Sequence, residues 1–124
     1  MALPSRIERA NDLVQETLAR LIQSDVQDQR VNLVTITRVS LSPDLKHAKV
    51  YFRVIGDDPK QRDDAQKGLI RARNFLRHLV AKNTDLRVTP DLRFIYDDVG
   101  EKAQKLEDLI AKAIEKDKKL KPKD

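Results

Sequence analysis

Residues 33–55 read LVTITRVSLSPDLKHAKVYFRVI and contain two strand patterns separated by a turn. Residues 33–41 are rich in β-branched side chains, and residues 47–55 alternate apolar with polar side chains, which is typical of half-buried strands. Between them, Pro43 presets φ for a turn and Asp44 can form a local hydrogen bond. The stretch therefore predicts a β-hairpin, which ends at the Gly-Asp-Asp-Pro sequence of residues 56–59.

Helical patterns lie on both sides of this hairpin. Upstream, Ser5 and Glu8 have the spacing of a capping box, and the apolar positions that follow predict a helix from about residue 6 to about residue 24. Downstream, residues 60–83 have an apolar stripe at helical spacing, residues 86–96 alternate as a strand, and residues 101–116 are helical again. Pro90 indicates that the last strand is irregular or lies at an edge.

The predicted order of elements is α-β-β-α-β-α. A strand, a long helix and a returning strand imply a parallel pair joined by a right-handed crossover. The hairpin adds an antiparallel neighbour. The sequence thus predicts an α+β fold with a three-stranded mixed sheet and helices packed on one face. The lysine-rich residues 116–124 are predicted to be a disordered tail.

The composition argues against catalysis. The 124 residues fit one domain, and the chain has no cysteine and only two distant histidines, so neither a disulfide nor a metal centre is predicted. The glycines do not form a phosphate loop, and the paired acids flank predicted elements, where turns and helix starts normally place them. We expect no enzyme activity, no cofactor and no small-molecule substrate. The sequence has no signal peptide and no membrane span, which predicts a cytoplasmic protein.

Positive charge is concentrated in one region. Residues 60–93 contain nine basic and four acidic residues, so they account for the whole net charge of +5, and residues 65–84 contain no acid. A solvated surface usually mixes its signs, so this segregation indicates a polyanionic partner.

The third predicted helix has its cations in two rows. Lys67, Arg71, His78 and Lys82 fall in one row on a helical wheel, and Arg73 and Arg77 form a second row on the other flank of the apolar stripe. A helix held by its apolar stripe could lay such rows along a phosphate backbone. The alternative is a solvated helix whose long side chains cover the edge of the core.

Five segments of the chain form a recognisable set: Arg6, Arg9 and Glu16; Asp28-Gln29-Arg30; residues 34–51; Phe75-Leu76-Arg77; and residues 86–94. They are spread over most of the chain between residues 6 and 114, and their order and spacing are more specific than any single motif. Together they resemble the bacterial ribosome-binding factor A family of small-subunit assembly factors.

The resemblance implies a type II KH-like domain over residues 5–115, with the order α-β-β-α(kink)α-β-α. The kink of the family would fall at Ala72-Arg73-Asn74, where Asn can adopt left-handed geometry. It also implies that the chain binds the small ribosomal subunit and its 16S rRNA during late maturation, as a monomer. The expected RNA-binding residues are Lys67, Arg71, Arg73, Asn74, Arg77, Lys82, Arg87, Arg6 and Arg9.

Two other functions remain open from the residues alone. A general single-stranded nucleic-acid-binding module would use the same basic face for phosphate contacts without any ribosomal role. A protein–protein adaptor would dock a partner on its helices and use its charge for solubility.

Overall fold

The structure, a computed structural model, describes residues 5–56, 58–86 and 88–120, and describes side chains as far as residue 118. Its elements follow the predicted order, with one additional short helix. They are α1 (Arg6–Ser24), α2 (Gln29–Asn32), β1 (Val34–Leu41), β2 (His47–Val54), α3 (Pro59–Asn83), β3 (Asp91–Tyr96) and α4 (Val99–Leu120).

The sheet has the predicted mixed topology. Its strand order is β1-β2-β3, with β1 antiparallel to β2 and β2 parallel to β3. The first hydrogen bond of β3 runs from the Asp91 amide to the Lys46 carbonyl. Because Pro90 has no amide hydrogen, β3 starts five residues later than the sequence pattern predicts.

The hydrophobic core lies on one face of this sheet. In β2, Ala48, Val50, Phe52 and Val54 are buried while the intervening side chains are exposed or half-buried. In β1 a bulge between Ile36 and Arg38 shifts the register, so the buried positions change phase within the strand. The helices α1 and α3 cover this face and contribute Ala10, Val14, Leu18, Leu21, Ile22, Ala65, Leu69, Leu76 and Val80 to the core, which Val26, Val31, Leu92 and Phe94 complete.

α1 also covers the outer edge of β1. Its capping box forms as predicted, with the Glu8 amide donating to the Ser5 hydroxyl at 3.1 Å. Further along, the Leu41 amide donates to Asn11 Oδ1 at 2.8 Å, and Gln15 Nε2 donates to the Thr37 carbonyl at 3.2 Å. These bonds satisfy backbone groups that an exposed edge strand would leave open to pairing with another chain.

The Asp28-Gln29-Arg30 segment builds α2 and docks it on α3. The Asp28 carboxylate caps α2 through the Arg30 amide and also accepts two hydrogen bonds from the Arg30 guanidinium, at 3.0 and 2.7 Å. These bonds lower the pKa of Asp28 below its ordinary value. Gly68 of α3 lies directly beneath, where a Cβ would come within 2.8 Å of Val31 Cγ2.

The predicted break in α3 is absent. The helix runs continuously through Ala72-Arg73-Asn74, and Asn74 does not have a positive φ. The physical reason is that Leu69, Leu76 and Val80 keep one helical phase on both sides of residue 74, and all three are fully buried. A left-handed residue between them would rotate one half of this stripe out of the core.

α4 contrasts with the other long helices because its side chains are exposed along almost its whole length. Its first turn is attached to the domain by an ion pair between Arg62 and Glu101. Beyond it, Leu106, Leu109 and Ile114 are all more than half exposed. The helix continues to Leu120, so the prediction of disorder was wrong for residues 116–120, while residues 121–124 lie outside the described part of the chain.

We predict that Gly68→Ala destabilises the protein by about 1–2 kcal/mol, because fully buried, β-branched Val31 cannot move away from the new methyl group. Gly100→Ala is the matched control. There the nearest atom is Arg53 Nη1, the end of a long side chain, at the ordinary contact distance of 3.4 Å, so the change should be neutral or slightly stabilising. Urea unfolding measures both variants, and equal stability of the two would contradict the close packing of α2 on α3.

Continuity of α3 gives a second prediction. Asn74 is exposed within a helix, so Asn74→Ala should stabilise the protein by roughly half a kcal/mol, and Asn74→Gly should destabilise it by a few tenths, following helix propensity. Chemical denaturation of the two variants checks this. The opposite ranking, with Gly more stable than Ala, would show that residue 74 has left-handed geometry after all.

Candidate nucleic-acid interface

The first predicted row of cations forms the outward face of α3. Lys67, Arg71, His78 and Lys82 are all exposed and lie on the side of the helix opposite the buried stripe. Lys67 pairs with Asp63 one turn earlier, at 3.3 Å, but both side chains are about two-thirds exposed. Such a pair contributes little in water and can exchange readily for a phosphate contact.

The second predicted row divides into two roles. Arg73 is exposed, whereas Arg77 is half-buried and its Nε donates to the Pro90 carbonyl at 3.1 Å. Pro90 is fully buried at the entrance to β3. Arg77 therefore fastens the chain before β3 to α3, and its expected contact with RNA stays a prediction. Arg87, also expected at this site, lies outside the described residues.

Phe75 is a surface aromatic that the sequence analysis missed as a functional residue. Its side chain is 47% exposed, whereas Phe52 and Phe94 are buried. The signal was present in the sequence, because Phe75 falls outside the apolar stripe of α3 and lies one turn after Arg71. An aromatic ring among cations is the combination that single-stranded nucleic acids recognise, since bases stack on the ring while phosphates meet the charges.

Arg6 and Arg9 are exposed near the start of α1. Helical phase places them on the flank of α1 opposite Asn11 and Gln15, which bond the edge of β1. On α3, the Gln66 and Arg77 side chains donate hydrogen bonds to the chain at and before β3. Phe75 lies on the flank of α3 that faces away from β3. The helices α1 and α3 pack beside each other on the sheet. The α1 flank with Arg6 and Arg9 and the α3 flank with Phe75 therefore face the gap between the two helices.

Asn74 is exposed on the outward face, but the corner that would have aimed backbone groups at a ligand is absent. The contact expected at Asn74 therefore stays a prediction for its exposed side chain alone. The outward cations and Phe75 lie together on α3, whereas Arg73 is exposed on the other flank of the helix, in the row of Arg77. We call the exposed residues of both flanks the α3 surface: Lys67, Arg71, Arg73, Phe75, His78 and Lys82.

The described residues offer little to other kinds of site. No group of three or more His, Asp or Glu side chains among them could hold a metal ion. In the same part of the chain, no helix combines the length and the apolar character needed to cross a membrane.

The fold and the α3 surface together define a small KH-like α+β protein with one strongly basic helical face. Sequence comparison gives the family, because residues 6–110 match the family described as Ribosome-binding factor A. The chain belongs to this family. It is 44% identical over 120 residues to ribosome-binding factor A of Thioalkalivibrio sulfidiphilus, and the match covers 97% of this chain and 92% of that relative.

Solved structures agree with this assignment. The crystal structure of ribosome-binding factor A from Thermus thermophilus is similar with a TM-score of 0.66 at 26% identity, over 74% of this chain and 97% of that one. A homology model of Thermus thermophilus ribosome-binding factor A, fitted into a cryo-electron microscopy map of a complex with the 30S subunit, is similar with a TM-score of 0.58 at 28% identity. That match covers 70% of this chain and 90% of that one.

Proposed function

We propose that this protein is an assembly factor that binds the small ribosomal subunit through its 16S rRNA during late maturation. The observation that carries the proposal is the α3 surface, a row of exposed cations on a helix whose opposite side is locked into the core. A homology model of a relative was fitted into a map of its complex with the 30S subunit, which supports the same partner for this chain.

The α3 surface is suited to RNA in two ways. Lys67, Arg71, Arg73 and Lys82 provide phosphate contacts that release counterions, and Phe75 provides a ring on which an unpaired base can stack. The buried stripe of α3 fixes the helix, so these side chains need little further ordering of the backbone on binding. Arg6, Arg9 and Arg87 extend the proposed contact beyond α3.

The proposed activity is binding, carried out in the cytoplasm by a monomer without a cofactor. A rigid basic surface can hold immature RNA in one arrangement. The protein can then be released when the mature arrangement of the RNA no longer fits this surface. This mechanism requires a difference in affinity between the two states of the subunit, because equal affinity for both states would not shift their balance.

The direct test reverses two charges on the α3 surface. Arg71→Glu with Lys82→Glu should weaken binding to purified small subunits by about tenfold or more and reduce the salt dependence of binding by roughly two phosphate contacts. Both side chains are exposed, so the fold should be kept; because hydrogen bonds and, less strongly, the Arg71 charge lower the pKa of Asp28, the cap of α2, Arg71→Glu should lower the melting temperature by a small amount. Arg77 is unsuitable for this test because its loss would disturb Pro90.

The control is Lys105→Glu with Lys112→Glu on α4, which makes the same change in net charge on exposed side chains. It should bind small subunits nearly as well as the unmodified protein in co-sedimentation. Equal binding by the α3 double variant and the unmodified protein would refute the proposed surface, and a loss in the control alone would move the contact to α4.

A further inference from the structure

The face of the sheet opposite the core also carries positive charge. Its side chains belong to the alternate positions of the three strands, and Arg38, Lys49 and Arg93 among them are exposed. On this face Ser40 pairs with Lys49, and Lys49 pairs with Arg93. We call Arg38, Lys49, Tyr51 and Arg93 the sheet surface.

Lys49 and Arg93 are neighbours that destabilise each other. They are in register on adjacent strands, which lie about 4.8 Å apart, and their side chains point to the same face. Like charges placed directly opposite on a sheet are unfavourable. Neither cation has an ion-pair partner within 4.0 Å among the residues that the structure describes. A bound anion between them would relieve the repulsion.

The same face holds an aromatic ring stacked on a cation. The Arg38 guanidinium lies over the Tyr51 ring, 4.2 Å from its centroid. Asp97 lies near enough for the Arg38 charge to act on it: the pKa of Asp97 is lowered mainly by the hydrogen bond from the Thr37 hydroxyl at 2.7 Å, and the Arg38 and Arg53 charges lower it further. Arginine planes and aromatic rings are the surfaces on which proteins stack unpaired RNA bases.

A groove connects these features to α1. A cavity of about 370 Å³ is bordered on the α1 side by Glu8 and Asp12 and on the sheet side by Arg38, Lys49 and Tyr51. This volume falls within the ~300–1,000 Å³ of typical small-ligand sites. Asn11 and Gln15 bond α1 to β1, so the two walls are held together.

The two walls have complementary chemistry for a nucleotide. The acidic α1 wall can accept hydrogen bonds from the amino and imino groups of a base, as carboxylates do in base recognition. The sheet wall presents cations to a phosphate. We propose that this groove binds one unpaired nucleotide of RNA, with its base against the Arg38–Tyr51 pair and its phosphate at Lys49 and Arg93. The inference rests on the proposed RNA-binding function and adds a second contact, on the opposite side of the sheet from the α3 surface.

Tyrosine fluorescence reports on this groove directly. The chain has no tryptophan and two tyrosines, Tyr51 and Tyr96, so Tyr96→Phe leaves Tyr51 as the single emitter. Titration with a single-stranded RNA of about 12 nucleotides should quench Tyr51, because a base stacks at the groove. The same RNA annealed to its complement should not quench it. Unchanged Tyr51 emission at saturating single-stranded RNA would overturn the inference.

Charge reversal supplies the second readout. Lys49→Glu with Arg93→Glu keeps a like-charged pair at this position, so the cross-strand repulsion is retained. Its affinity for the single-stranded RNA should fall at least about tenfold, whereas Lys105→Glu with Lys112→Glu should change it less than about twofold. Equal affinity of the two double variants, whether both are weakened or both are unchanged, would overturn the inference.

Small-subunit binding separates the two proposals. In one outcome the unmodified protein binds small subunits, Arg71→Glu with Lys82→Glu abolishes that binding, single-stranded RNA does not quench Tyr51, and Lys49→Glu with Arg93→Glu does not weaken RNA binding. The proposed function then stands, and the proposal for the groove is wrong. If the unmodified protein binds neither small subunits nor single-stranded RNA, both proposals fail.

Discussion

The packing of α1 and α3 on one face of a three-stranded sheet is the constraint on which the rest of the structure depends. Alternation along β2 sends Val50 and Phe52 into the core and leaves Lys49 and Tyr51 on the other face. The buried stripe of α3, with Leu69, Leu76 and Val80, must then meet that single core face, which turns the cations of the helix outward. Both proposed RNA contacts follow from this arrangement, since one lies outside the helix layer and the other on the uncovered side of the sheet.

The hairpin and the long helices could be predicted from the sequence because their patterns are local. Periodicity located β1 and β2 to within a residue, and the capping box at Ser5 located the start of α1. The bulge in β1 was not predicted, but it leaves a trace in the sequence. The apolar positions are even-numbered before it, at 34 and 36, and odd-numbered after it, at 39 and 41. The prediction of a break at Asn74 was wrong because asparagine tolerates both helical and left-handed geometry. Only the packing of the surrounding apolar stripe decides between the two.

The candidate site was harder to predict, because a helical wheel gives the flank of a side chain but not what that flank meets. Arg77 is expected to bind RNA, and its hydrogen bond to the Pro90 carbonyl could not be predicted from the wheel. Phe75 was overlooked because aromatic residues usually belong to the core, and its exposure depends on how α3 is rotated on the sheet. The groove beside Tyr51 requires α1, β1 and β2 to be assembled, so no single segment of the sequence contains its pattern.

The central claim is that the outward side of α3 lies against RNA in the small subunit. The chain has no cysteine, so His78→Cys creates a single attachment point for a photoreactive group on this side. After irradiation with purified small subunits, this account predicts adducts with ribosomal RNA, and fewer adducts from the same group at Lys112→Cys on α4. Adducts with ribosomal proteins alone, or more RNA adducts from position 112 than from position 78, would contradict it.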